Sequence, residues 1–148
     1  MKTITIALAL IFAVTIDTPE TPKNLCLGQV KHTSLEKALA EPDKVVYLDL
    51  AMQRPKLKSI PKEVAQFPNL VCLDVSYNQI SSIPDEIKQC KKLRSLNLGG
   101  NRYLAKLPAV LKEVPSLELV DVSDIPEWSA EKRAEAKEML PNAEVITD

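Results

Sequence analysis

The sequence LVCLDVSYNQISSIPDEIKQCKK, residues 70–92, is the clearest of three copies of one pattern. The copy before it is VVYLDLAMQRPKLKSIPKEVAQFPN, residues 45–69, and the copy after it is LRSLNLGGNRYLAKLPAVLKEVPS, residues 93–116. A shortened fourth copy starts at residue 117, so the starts are 25, 23 and 24 residues apart. A nearly constant period of this size is typical of architectures that stack similar units around one continuous core.

Each copy divides into a strand, a turn and a short helix. The LxxLxL spacing places alternate apolar residues on one side of a short strand, and successive strands then stack these residues into a core. An asparagine follows at Asn78 and Asn101, where its amide can satisfy backbone groups left open at a bend; Gln53 occupies that place in the first copy. A proline suited to the first turn of a short helix comes next. These prolines are Pro61, Pro84 and Pro108.

The turns differ in length between the copies. The interval from the turn residue to the proline is six positions in the second copy, seven in the third and eight in the first. The additional residues, around 54–56 and 102–103, are expected to bulge from the edge that follows the strands. Such variation is common in surface loops; a recognition loop is the alternative.

Short helices are expected to cover both ends of the stack, because uncapped repeats would leave apolar surface in water. At the start, Thr33 and Glu36 have the spacing of a capping box and Pro42 ends the helix. At the far end, Ser129 is a candidate N-cap for a second helix, and residues 143–146 can add a partial fifth strand. Three residues are expected to seal the last repeat: Trp128, Ala134 and Leu140.

The first residues read as a targeting segment. Lys2 precedes an apolar run at residues 4–16 that is shorter than a membrane span of about 20 residues and typical of a secretory signal. We expect a signal peptide at 1–16, a loose lead-in at 17–32 and the repeat domain with its caps at 33–148. The mature protein would be exported (periplasmic or secreted), without a stable membrane span. An uncleaved anchor, or a buried strand of a cytoplasmic protein, is the alternative.

The composition argues against a nucleic-acid partner. The 148 residues carry 19 Lys and Arg against 20 Asp and Glu, a formal net charge of -1, with the two signs interleaved. Nucleic-acid binders usually carry a basic stripe, and only 4% of the residues are aromatic and able to stack on bases.

The cysteines predict neither a metal site nor a disulfide. Cys26, Cys72 and Cys90 show no CxxC spacing. Cys72 and Cys90 fall on different faces of one repeat, so no bridge between them is expected. All three are interpreted as free thiols, with Cys72 in solvent and Cys90 in the core.

The pattern LxxLxLxxNxIxxIPxxIxx resembles the leucine-rich repeat superfamily, in particular the 23-residue type of bacterial proteins. The resemblance covers about residues 33–146. It implies an α/β solenoid with a short parallel sheet on the concave side, helices on the convex side and a helical cap at each end. It also implies protein binding of some kind. Gln53, the two long turns and the missing asparagine of the fourth copy depart from the pattern.

In such a fold, the residues that alternate with the buried ones face the concave side. One column across the strands is Tyr47, Cys72, Ser95 and Leu119, and the next is Asp49, Asp74, Asn97 and Asp121. Carboxylates on strands about 4.8 Å apart would attract a cation or a basic partner; the alternative is that the aspartates are only a habit of the repeat. The candidate binding residues are Tyr47, Asp49, Asp74, Tyr77, Asn97, Leu119 and Asp121.

No catalytic site is predicted. His32 is the only histidine, and it precedes the first helix. A cysteine nucleophile needs a neighbouring base, and none can be assigned to Cys72. We therefore predict a monomeric, non-catalytic module, without cofactor or metal, that recognises a protein or peptide on its concave face. A cytosolic scaffold and a repeat remnant with a structural role are the alternatives.

Overall fold

A computed structural model describes residues 25–148, so the predicted signal peptide and the first part of the lead-in lie outside the described residues. Within this range, parallel strands form one sheet whose spatial order follows the chain. The strands are β1 Lys31–His32, β2 Tyr47–Asp49, β3 Cys72–Asp74, β4 Ser95–Asn97, β5 Leu119–Asp121 and β6 Glu144–Ile146. The predicted repeat solenoid with a parallel sheet is confirmed.

Short helices connect the strands. Helix α1, Leu35–Ala40, and the 3-10 helix Pro42–Lys44 precede β2, and α2, Ala130–Met139, precedes β6. The connections after β2, β3 and β4 are 3-10 helices that follow the predicted prolines. They span Lys62–Gln66, Asp85–Gln89 and Ala109–Glu113. No helix in residues 25–148 is long and apolar enough to cross a membrane.

The core lies between the sheet and the 3-10 helices and is continuous along the solenoid. The central residues of β2 to β5 are 0–1% exposed. They are Leu48, Leu73, Leu96 and Val120. The helices contribute Val64, Ile87 and Leu111, each 0% exposed. Burying one such side chain stabilises the fold by about 1.5–3 kcal/mol, so the stacked rows supply most of the folding free energy.

The turns after β3 and β4 are held by buried asparagines. Asn101, 0% exposed, donates from Nδ2 to the carbonyl oxygens of Leu98 (2.7 Å) and Val75 (3.1 Å) and accepts from the amide of Ile80 (2.9 Å). Asn78 makes the same kind of link to the repeat before it, through Leu50 (2.8 Å). Each asparagine therefore satisfies its own turn and joins it to the preceding repeat.

The end caps agree with the predicted elements but not with every predicted residue. Ser34, not Thr33, is the N-cap of α1, because its side chain accepts from the amide of Lys37. Ser129 caps α2, as predicted. Ala136 is the buried alanine of α2, whereas Ala134 is exposed.

Trp128 and Leu140 close the last repeat, as predicted. Trp128 is 4% exposed, and its indole nitrogen donates to the carbonyl oxygen of Leu104 at 2.6 Å. Leu140 is also buried. The predicted strand at 143–146 is present as β6.

The interpretation of Cys26 and Cys72 as free thiols is wrong. They form a disulfide with a Cα–Cα distance of 6.0 Å, and Cys72 is 1% exposed rather than in solvent. The prediction weighed only the pair Cys72 and Cys90, whereas the partner is Cys26, which lies 46 residues before Cys72. Cys90 is free and buried, as predicted.

The described part of the expected loose lead-in contains one strand. β1 pairs in parallel with β2, Lys31 opposite Tyr47 and His32 opposite Leu48. The sheet therefore begins before the first complete repeat.

Replacing Asn101 with alanine should lower the free energy of unfolding by about 3 kcal/mol, because buried backbone groups of two repeats lose their partner. Urea unfolding followed by circular dichroism measures the change. Asn142→Ala, at an exposed asparagine, is the control and should change stability by less than about 0.5 kcal/mol. Equal stability of the two variants would contradict the structural role of Asn101.

The number of reactive thiols should depend on folding and reduction. Burial raises the pKa of Cys90 to about 11, so the native protein should react with no thiol reagent at pH 8. Denaturation without reductant should expose one thiol, and denaturation after reduction should expose all three cysteines. A disulfide-exchange assay counts them; three reactive thiols before reduction would rule out the disulfide.

Candidate functional site

The structure aligns both predicted concave columns. Tyr47, Cys72, Ser95 and Leu119 are register partners across β2 to β5, as are Asp49, Asp74, Asn97 and Asp121. Both columns flank the buried central residues, so their side chains lie on the side of the sheet away from the core. The two rows together form the concave face.

In every residue of the second column, the side-chain oxygen Oδ1 accepts a hydrogen bond from the backbone amide two residues later. Oδ1 of Asp74 accepts from the amide of Ser76 (2.9 Å), Oδ1 of Asn97 from Gly99 (2.9 Å) and Oδ1 of Asp121 from Ser123 (2.8 Å). Oδ1 of Asp49 likewise accepts from the backbone amide of Ala51 at 3.2 Å. Aspartate and asparagine satisfy this turn equally, which gives a physical reason for the column.

The second carboxylate oxygen differs from strand to strand. Oδ2 of Asp49 lies 3.2 Å from Nζ of Lys31. Oδ2 of Asp74 accepts from the side-chain nitrogen Nδ2 of Asn97 at 3.2 Å. Oδ2 of Asp121 accepts no hydrogen bond from residues 25–148. Asp121 is therefore the carboxylate of this column best placed to receive a ligand cation.

A shallow depression of about 160 Å³ lies over the sheet. It brings together five of the seven candidate residues, and both cysteines of the disulfide also line it. These five are Tyr47, Asp74, Asn97, Leu119 and Asp121. Leu119 is only 9% exposed and supplies apolar surface to the lining. The depression therefore combines an apolar floor with two carboxylates and an amide.

The disulfide covers the beginning of the concave face. Cys72 belongs to the concave column of β3, and Cys26 is bonded to it on that side. The chain then returns from Cys26 to β1, so it passes β2 near Tyr47. Partial burial raises the pKa of Tyr47 above its ordinary value, and Lys31 lies 5.0 Å from the centre of its ring.

Tyr77 lies outside the depression, on the turn after β3. Its φ is 53°, and its ring packs over Gly100, where a Cβ atom would stand 2.5 Å from the ring. Its hydroxyl donates to Oδ2 of Asp124, and this hydrogen bond raises the pKa of Tyr77. Tyr77 is 43% exposed, but its orientation is fixed by the next two repeats rather than by the strands.

Asp49 also lies outside the depression, and its carboxylate is paired with Lys31. Sequence reasoning missed Lys31 and Cys26, which belong to the unpatterned lead-in. The cysteine count was the available signal, since one bridge and one free thiol also account for three cysteines.

The geometry of the concave face suits recognition by polar and apolar contact. Within residues 25–148, no group of three or more His, Cys, Asp or Glu is arranged to hold a metal ion. The sulfur of Cys72 is held in the disulfide and is not a thiolate.

Comparison with known proteins identifies the repeats. Residues 68–113 match the family model described as Leucine Rich repeats (2 copies). The chain is 32% identical over 76 residues to the human leucine-rich repeat-containing protein 66, covering 51% of this chain and 9% of that protein. It is 34% identical over 93 residues to a leucine-rich repeat-containing protein of Schizosaccharomyces pombe, covering 47% of this chain and 15% of that protein. The chain thus spans a small part of these relatives.

Two solved structures are also similar. A leucine-rich repeat protein of Leptospira interrogans aligns with a TM-score of 0.41 and 25% identity, covering 64% of this chain and 36% of that chain. The plant peptide hormone receptor RGFR1, in complex with RGF2, aligns with a TM-score of 0.50 and 24% identity, covering 71% of this chain and 17% of that chain. The latter likeness supports the fold alone. Residues 68–113 are therefore similar to leucine-rich repeats, and residues 25–148 form the repeat solenoid with a parallel sheet that was expected.

Proposed function

We propose that this chain is an exported, non-catalytic binding module whose concave face recognises a basic peptide or a basic segment of a protein. Leucine-rich repeats are a common protein-interaction fold. The observation that carries the proposal is the depression in which Asp74 and Asp121 stand beside the apolar side chain of Leu119.

The chemistry of the depression favours a lysine or arginine side chain. Oδ2 of Asp121 accepts no hydrogen bond from residues 25–148 and can accept from an ammonium or guanidinium group. Asp74 lies two strands away and forms no ion pair with a cation in the same range. Hydrogen bonds to charged groups contribute about 1.5–3 kcal/mol each, and Leu119 offers a contact for the aliphatic stem of the same side chain. Binding should weaken with salt, because the carboxylates are partly exposed.

The state of the cysteines argues against a nucleophilic role for them. A cysteine acts as a nucleophile through its thiolate, and the sulfur of Cys72 is bonded to Cys26. Cys90 is 2% exposed, and its pKa is raised to about 11 by burial. Both properties keep its sulfur protonated and away from substrate.

Export is supported by the disulfide together with the apolar run at residues 4–16. Disulfides persist in oxidising compartments and are rare in the cytosol. Because the disulfide links the lead-in to β3, and both cysteines line the depression, the compartment bears directly on the proposed function. In a cytosolic scaffold, Cys26 and Cys72 would be reduced.

Asp74→Asn with Asp121→Asn should weaken binding of a basic peptide about tenfold or more, because it removes two charges and keeps the oxygens that hold the turns. The ligand would be selected from a displayed library of random heptapeptides, and isothermal titration measures its Kd. Asn97 already serves in the same column, so the fold should be unchanged by circular dichroism.

The matched control is Asp43→Asn with Asp85→Asn, which changes the net charge equally at exposed residues away from the depression. It should bind the peptide as the wild type does. Two results would contradict the proposal. One is selection of peptides that contain neither lysine nor arginine, and the other is equal binding of the peptide by both double variants.

Processing of the N-terminus should accompany export. The protein expressed from its full sequence in its native host should be recovered outside the cytoplasm with a new N-terminus near Ile16. Intact-mass spectrometry of the purified protein gives the cleavage site. An unprocessed chain in the cytoplasm would contradict export and leave the peptide-binding experiment to decide the concave-face proposal separately.

A further inference from the structure

A second surface follows from the charges on the turns after β2, β3 and β4. Residues 51–59, 76–82 and 99–107 carry five cations and no carboxylate, although the whole chain has a formal net charge of -1. We call these cations the basic edge. They are Arg54, Lys56, Lys58, Arg102 and Lys106, and all are exposed.

The cations of the basic edge are available, whereas many cations elsewhere are paired. Lys31, Lys44 and Lys88 each lie within 4.0 Å of a carboxylate. On the basic edge, Lys56 donates to the carbonyl oxygen of Tyr77. The other four side chains make no hydrogen bond or ion pair with residues 25–148. Their charge is therefore directed to solvent or to a partner.

The unequal turn lengths produce a trough on this edge. The turn of the second repeat is the shortest, and it lies between the longer turns of the first and third. A cavity of about 320 Å³ opens there, lined by Lys58, Gln79, Ser81 and Tyr103. Its floor is fixed, because the amides of Gln79 (2.9 Å) and Ser81 (3.0 Å) donate to the backbone of the first repeat.

Tyr103 forms the opposite wall of the trough. It is 64% exposed, one of the most exposed large apolar residues of the described chain. An exposed tyrosine beside a groove supplies contact area with few rotatable bonds, and tyrosine and arginine are enriched where proteins contact each other.

We propose that the basic edge binds an extended acidic segment of a partner protein, which lies in the trough between Lys58 and Tyr103. The side-chain amide of Gln79 can bond to the backbone of that segment, and the Ser81 hydroxyl, which donates to the carbonyl oxygen of Lys58 at 3.4 Å, can accept from it. The flanking cations can pair with the carboxylates of the segment. A recessed trough suits a single chain better than a flat bilayer. The surface is separate from the concave depression and does not depend on its function.

The test uses an acetylated, fluorescein-labelled octapeptide of alternating glutamate and serine, titrated with the full chain at low and at physiological salt. The wild type should bind it, and salt should weaken the binding. Lys58→Glu with Arg102→Glu should reduce affinity about tenfold or more, and Tyr103→Ala should reduce it severalfold.

The control variant is Lys91→Glu with Lys112→Glu, which makes the same change in net charge at exposed lysines of the helical side. It should bind as the wild type does. Circular dichroism verifies that all variants are folded.

Three results would overturn the proposal. One is failure of the wild type to bind the peptide at low salt. Another is an equal loss of affinity in the control variant, which would show only a net-charge effect. The third is tighter binding to vesicles of anionic phospholipid, or to a single-stranded oligonucleotide, than to the peptide, which would assign the basic edge to another class of ligand.

Discussion

The stacking of this solenoid depends on the buried amides of Asn78 and Asn101. Each turn leaves backbone carbonyl and amide groups inside the protein, where an unpaired group costs about 1–3 kcal/mol. One asparagine side chain bonds to groups from its own turn and from the preceding one, so the repeats cannot slide relative to each other without breaking these bonds. This link helps to fix the register of β2, β3 and β4, and hence of their concave residues.

The first and fourth repeats, at the ends of the array, lack this asparagine. Gln53 stands where the first repeat would have its asparagine, and its amide makes a single 3.4 Å contact with the carbonyl of Ala51. Residues 25–44, which precede this repeat in the described range, contain no complete repeat for it to join. In the fourth repeat, Ile125 takes the place of the asparagine and is buried. There the indole of Trp128 bonds to the third repeat at Leu104 instead.

The periodic part of the sequence predicted the structure well because its patterns are local. The strands, the rows of core residues and the two concave columns all follow from alternation and spacing. The disulfide did not follow, because Cys26 lies in a segment without period and its partner is distant in sequence. The orientation of Tyr77 also escaped prediction, since it depends on the missing side chain of Gly100 and on Asp124 two repeats on. The adjacent residues Thr33 and Ser34 could both cap α1, and only the backbone geometry selects Ser34.

The aspartates of the concave face show how residues that the repeat pattern requires could also serve the function proposed for this face. One oxygen of each side chain is required by the turn, and the second is left to vary in its surroundings. The turn itself does not distinguish aspartate from asparagine. The charge of this face can therefore change from one homologous protein to another while its hydrogen bonds stay the same.

The disulfide gives the concave face a closed end and an open end. With Cys26 bonded above β3, the uncovered width from β3 to β6 is about 14 Å at the usual strand spacing. An extended peptide of the proposed kind that crossed the strands would advance about 3.4 Å per residue, so about four residues would contact the sheet. One covalent bond between the lead-in and the second repeat would thus limit the length of sequence that such a ligand presents to the sheet.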